Sequence, residues 1–233
     1  MSHREGIDQL HRKRWLIWLH RVGYVTTAIV ILQIGILGSV IGWEWWTRRA
    51  WNAAVVEDTR THAEPIEEKT DSYRRQHAVR LLEKLPALSH LDGDGMRFVA
   101  MPSFGTSEYA LAVSHSPKAS VANGILIVTD KSAERKADRV RRFQMPLRDY
   151  QAFVGRLDRL TDDWPGDMDD PCVDGSPTAF ERIRIRRVTS GIGNCAPHYA
   201  ELRLMVLREV RRFAPGPDLP TEDDWHRFDA DDR

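Results

Sequence analysis

From Val22 to Trp43 the chain carries no Asp, Glu, Lys, Arg or His, and this run constrains the fold more than any other stretch. As a helix rising about 1.5 Å per residue it spans roughly 33 Å, enough to cross a hydrocarbon core about 30 Å thick. Trp15, Trp18 and Tyr24 at one end and Trp43, Trp45 and Trp46 at the other fit two interfacial aromatic belts. A cleaved signal peptide has a shorter apolar core followed by small residues, whereas bulky tryptophans stand where cleavage would fall here. No Cys follows the run, which excludes a lipoprotein signal. A helix apolar all round at this length is also long for a buried core helix. The run reads as an uncleaved signal anchor.

Charge gives the orientation. Arg4, Arg12, Lys13, Arg14 and Arg21 precede the run, and only Arg48 and Arg49 follow closely. Positive charge is retained on the cytoplasmic side, so residues 1–21 are expected inside and everything after Trp43 outside. Within the span Gly38 and Gly42 form G-x-x-x-G, and Gly35 with Ser39 repeats the spacing on an adjoining surface. Small residues four apart let two helix backbones approach closely, so this face is a candidate for self-association or for pairing with another membrane helix. The expected partners are therefore the lipid bilayer and a second copy or another membrane protein. Formal net charge is zero, and with an outside location this argues against nucleic acid.

The chain has two cysteines, Cys172 and Cys195, among 233 residues. On the outer side of a membrane a pair of thiols is expected to oxidise to a disulfide. Closing that loop stabilises the domain by about 3 kcal/mol in the chain-entropy picture.

Residues 44–86 read as a charged helical stalk divided at Pro65, because proline inside a helix removes a hydrogen bond. Ile66, Tyr73, Ala78, Leu81, Leu82 and Leu85 recur near helical spacing in its second half. A stalk standing free and a helix packed on the domain both satisfy that pattern. From Met96 short apolar runs alternate with polar turns: 97–101, 109–113, 124–128 and 140–145 read as four strands. Leu147, Tyr150, Phe153, Val154, Leu157 and Leu160 mark an amphipathic helix, with Pro146 near its start. Strands follow over 180–188 and 190–194, and Pro197 opens a last helix carrying Tyr199, Leu202, Met205, Val206, Val210 and Phe213. The order ββββαββα predicts an α+β domain over 96–213 with an antiparallel sheet. Residues 214–233, rich in proline and acid, read as a disordered tail.

Three groups of residues are candidates for chemistry. Cys195 and His198 lie in GNCAPH at the start of the last helix, where a helix N-terminus lowers a thiol pKa and a histidine can serve as base. A cysteine hydrolase is thus one reading, and a structural bridge beside a surface histidine is the other. Arg182, Arg184 and Arg186 alternate with Ile183 and Ile185. Period two sends isoleucines to the core and arginines to the opposite face, either to hold anionic groups or to keep an exposed face soluble. Asp162, Asp163, Asp167, Asp169 and Asp170 form an acidic loop, and Asp92 and Asp94 sit in a Gly-rich turn. Neither follows the EF-hand register, so both read as solvated loops and no metal is expected. Walker, dinucleotide, H-E-x-x-H and G-x-S-x-G motifs are absent, and no cofactor is expected.

Residues 96–213 resemble a group of uncharacterised envelope proteins of proteobacteria. The resemblance is carried by the Met101-Pro102 turn, Cys172-Val173-Asp174-Gly175, the strand containing Glu181, and Cys195 ahead of a terminal helix. It implies an exported, periplasmic domain and brings no activity with it. The expectation is a single-pass inner-membrane protein with a non-enzymatic interaction or assembly domain. A cysteine hydrolase and a ligand-sensing domain are the alternatives.

Overall fold

The computed structural model describes residues 3–66, 73–91, 93–103, 106–131, 138–166, 175–185 and 187–219. The chain divides into two compact units, Met1–Trp51 and Asn52–Arg233.

The first unit is formed by helix α1, which runs from His3 to Thr59 and so continues eight residues into the second unit. Its segment Arg21–Glu57 is long and apolar enough to cross a membrane, and none of its most apolar window is buried. Its hydroxyls are satisfied inside the helix. Thr26 donates to Val22 O at 2.9 Å, Thr27 to Gly23 O at 2.9 Å and Ser39 to Gly35 O at 2.8 Å. Such back-bonding is what lets threonine and serine sit in an apolar medium.

The second unit is α+β. Strands β1 (Asp94–Ala100), β2 (Ser107–Ser114), β3 (Val121–Asp130) and β4 (Asp138–Pro146) form a meander. Helix α3 (Leu147–Thr161) then returns across the sheet, β5 (Thr178–Arg184) pairs with β1, and β6 (Arg187–Gly193) completes the order β4-β3-β2-β1-β5-β6. Every neighbouring pair is antiparallel. The expected strand over 180–188 is in fact a hairpin that turns at Ile185.

Both faces of the sheet are covered, which is why strands such as β2 are apolar at nearly every position. Met96, Phe98, Leu111, Leu126 and Phe180 pack under α3 and α4 (Pro197–Phe213), against Phe153, Leu157, Leu202 and Val206. The alternate positions Val99, Ala110, Ala112, Ile127 and Ala179 pack against Ala78, Leu81, Leu82 and Leu85. Those last residues belong to helix α2 (Tyr73–Leu82) and the turn after it.

Of the two readings left open for the second half of residues 44–86, the helix packed on the domain is the one seen, and contacts with the sheet begin ahead of residue 96. Beyond Asn52 the chain is part of the folded unit. The Tyr199 hydroxyl donates to Thr59 O at 2.8 Å, and His62 exchanges two backbone hydrogen bonds with Ser190 of β6. Helix α1 also stops at Thr59, six residues ahead of Pro65. The leucines of α2 are spent on the second face of the sheet rather than on solvent.

The expected disordered tail is corrected in its first part. Asp218 pairs with Arg139 and Arg141 of β4, Tyr109 Oη donates to Asp218 O at 3.1 Å, and Leu219 packs on the main core. Residues 220–233 lie outside the described residues.

Candidate functional site

Of the arginine row, Arg182 and Arg184 of β5 are engaged by carboxylates of the same unit. Arg182 lies on the side of the strand that carries Phe180, facing α3, and only 3% of its side chain is exposed. Its Nε donates to Asp158 Oδ1 at 2.9 Å, and its Nη1 to Asp94 Oδ1 at 2.7 Å and to Gly95 O at 3.0 Å. Arg184 donates to both Asp162 oxygens at 2.7 and 2.8 Å and lies 3.3 Å from Asp158 Oδ2. Arg186 lies outside the described residues. The expected isoleucine placement is also corrected: Ile183 is half-buried, and Ile185 is 84% exposed at the hairpin turn with φ 57°. Period-two reasoning holds only while a strand continues, and here the backbone reverses in the middle of the alternation.

Tyr150 of α3 completes this cluster. It is fully buried, its ring lies 5.7 Å from that of His115, and its hydroxyl faces Asp94. Burial drives the hydroxyl pKa well above the ordinary tyrosine range, opposed by Arg182 and reinforced by Asp94 and Asp158. For Arg182 burial acts downward, but Tyr150, Asp158 and Asp94 outweigh it, and its pKa is raised. A neutral phenol and a charged guanidinium therefore persist throughout the neutral range. The group clamps α3 onto β1 and β5 by buried, charge-assisted hydrogen bonds.

A second cluster surrounds the start of α4. Pro197 occupies the first helical turn, and His198 behind it is buried. The His198 imidazole stacks flat on Trp164, with centroids 3.8 Å apart and planes 2° from parallel, and meets Tyr199 edge-on at 84°. Thr61 N donates to Trp164 O at 3.1 Å, which ties this stack to the chain leaving α1. Arg203, one turn further along α4 and buried, donates to Asn194 O at 2.6 Å and Ser176 O at 2.9 Å. The surface histidine expected here is thus an interior one, and the Trp164 stack has no signal in the spacing of GNCAPH. Cys172 lies outside the described residues. No free cysteine is found among the described residues, and a Cβ built on Gly175 would lie 2.6 Å from Cys195 Sγ.

The acidic residues that are described are engaged by arginines. Asp94 holds Arg182, Asp162 holds Arg184, and Asp163 lies 3.2 Å from Arg187. Asp92, Asp167, Asp169 and Asp170 lie outside the described residues. Among the described residues, no three His, Cys, Asp or Glu side chains converge as a metal would require. On α1, a Cβ added at Gly35, Gly38 or Gly42 would meet nothing within 4 Å, and Ser39 is exposed. The chain's own described residues leave that face uncovered.

No family model, no curated protein and no solved structure matches the chain.

Proposed function

We propose that the chain is a single-pass inner-membrane protein whose folded unit lies in the periplasm and serves as a non-enzymatic interaction or assembly module. The observation that carries this reading is the exposed apolar segment of α1, whose side chains have no counterpart to bury against in their own unit. The surplus of Arg and Lys before Val22 supports a cytoplasmic N-terminus. The resemblance of residues 96–213 to proteobacterial envelope proteins supports the choice of compartment. In this reading Cys172 and Cys195 form a disulfide. Gly175, three residues after Cys172, adjoins Cys195 Sγ, and three residues of extended chain reach about 10 Å.

What supports the non-enzymatic reading is how the described charged groups are used. Arg182 is consumed by Asp94 and Asp158, and Arg97 by Glu181. His198 presents its ring plane to Trp164. A thiol hydrolase needs a free thiolate, which a bridged Cys195 does not supply. The uncovered face of Gly35, Gly38, Ser39 and Gly42 is the surface through which a second copy or another membrane helix would associate.

Mass spectrometry of the natively expressed protein, alkylated with and without reduction, tests the compartment. One linked Cys172–Cys195 peptide is the expected result. Two thiols that label without reduction would remove the periplasmic placement and reopen the hydrolase reading, for which Cys195→Ala would then abolish activity.

A further inference from the structure

The run from Val22 to Trp43 contains one amide whose polarity its own helix does not meet. The hydroxyls of Thr26, Thr27 and Ser39 each donate to a backbone carbonyl four residues behind. Gln33 is exposed and forms no hydrogen bond among the described residues beyond those of the helix backbone. A primary amide carries two donors and an acceptor, and hydrocarbon offers a partner to none of them. Eleven residues of the run precede Gln33 and ten follow it. The amide thus stands near mid-depth, where headgroups and water do not reach.

Gln33 also sits in a seam. Val30, Gln33, Leu37 and Val40 follow one another at intervals of three, four and three, and Thr26 continues the pattern toward the N-terminus. These are the a and d positions of a heptad, the spacing with which two helices pack along a left-handed supercoil. All five residues are exposed on α1. At about 100° per residue, Gln33 lies roughly 140–180° round the helix from Gly35, Gly38 and Gly42. The seam and the glycine face are separate surfaces, and one partner helix does not cover both.

The amide decides the occupant of the seam. Every copy inserts with the same orientation, because the same flanking charges direct it. A parallel pair with a two-fold axis sets Gln33 against Gln33 at one depth, where the N–H of one carboxamide meets the carbonyl oxygen of the other. A different helix would need a matching polar group at that level, whereas an identical helix carries one by necessity. A single polar residue in an apolar seam also fixes register and helix number. We infer that α1 self-associates as a parallel pair through Thr26, Val30, Gln33, Leu37 and Val40, with the two Gln33 amides hydrogen-bonded across the axis. This rests on the reading of α1 as a membrane span, and it leaves the glycine face to a helix of another protein.

The test uses the full chain in native membranes, with p-benzoylphenylalanine replacing Leu37 on the seam or, in a second protein, Ile31 on the glycine side. Irradiation should give a crosslinked dimer of the chain from Leu37 and none from Ile31. Energy transfer between fluorescently tagged copies in liposomes, at varied lipid-to-protein ratio, measures the association with the seam intact. Gln33→Leu should weaken it about three- to thirty-fold, the span expected of one hydrogen bond between membrane helices. Gln33→Asn keeps an amide and should retain most of the association, and Gly38→Leu should leave it unchanged. The inference is overturned by a dimer from Ile31 alone, by no dimer from either position, or by an association indifferent to Gln33→Leu. A Leu37 crosslink made only to a different protein would assign the seam to that helix instead. Alkaline carbonate extraction of the parent chain separates the two failures. Release refutes the membrane span itself, and retention without a Leu37 dimer refutes the pairing alone.

Discussion

Arg97 on β1 and Glu181 on β5 lie opposite one another in register, and Arg97 Nε donates to Glu181 Oε2 at 2.7 Å on the sheet face that α2 covers. The Glu181 side chain is completely buried and that of Arg97 is 13% exposed. The other Glu181 oxygen accepts from Ile66 N at 2.9 Å, and Arg97 Nη1 reaches Leu82 O at 3.4 Å. One ion pair thus joins two strands, the segment before α2, and the end of α2. Its value lies less in Coulomb attraction than in the penalty for losing either member.

Arg97→Met is expected to destabilise the second unit by about 3–5 kcal/mol, because it strands an interior carboxylate. Adding Glu181→Leu to Arg97→Met should recover a large part of that loss, since an apolar pair of similar volume removes the unpaired charge. Urea unfolding of both proteins followed by circular dichroism measures this. A double variant less stable than Arg97→Met would show that the carboxylate matters chiefly to Ile66 N.

The alkaline limb of stability should belong to Tyr150. Its hydroxyl pKa is raised in the folded state, so its contribution is intact below the unfolded tyrosine value of about 10 and is lost as pH climbs above it. At pH 7, where the phenol is neutral in both states, Tyr150→Phe is expected to change stability by about 1 kcal/mol or less, because it removes a single buried hydroxyl beside Asp94. Above about pH 10 the variant should hold its urea midpoint while the parent declines. Parallel decline of the two proteins would assign the limb to other groups.

Ile185 is a β-branched residue in the left-handed region, exposed and in a tight turn between Arg184 and Arg187. That conformation costs an L-residue about 1–2 kcal/mol, and asparagine tolerates it better. Ile185→Asn should therefore raise stability by about 1 kcal/mol, read as a higher urea midpoint with an unchanged slope. A lower midpoint would mean that the isoleucine has a packing partner.

The same turn explains where sequence reasoning stopped. Period-two runs such as 109–113 and 124–128 identified their strands because both faces of the sheet demand apolar residues there. The helical spacing of Leu147, Tyr150, Phe153 and Leu157 likewise marked α3. A hairpin is signalled by Gly, Asn or Asp, and Ile185-Arg186 supplies none of them, so two strands read as one. The error passed to the site: arginines that alternate along one long strand looked like a solvent-facing row. Asp94, which meets Arg182 in space, is 88 residues away in sequence, and no local pattern couples them. Helix α2 was legible as amphipathic, but its partner was not, because the second apolar face of the sheet is a tertiary property.

Gly124 on β3 stands opposite Phe143 on β4, and a Cβ at that glycine would overlap the Phe143 ring. The ring thus covers the glycine and brings edge strand β4 down onto the main core, where Phe143 is partly buried. Gly124→Ala would push the ring off and should cost about 1–3 kcal/mol, the usual range for overpacking a filled site. Alanine is otherwise the better strand residue, having less chain entropy to lose. With Phe143→Leu in place the overlap disappears, and Gly124→Ala should then cost nothing or stabilise slightly. A double-mutant cycle in urea isolates the pair and should return a coupling of about 1 kcal/mol or more. Additive effects would mean that β4 yields as a whole rather than through its aromatic ring.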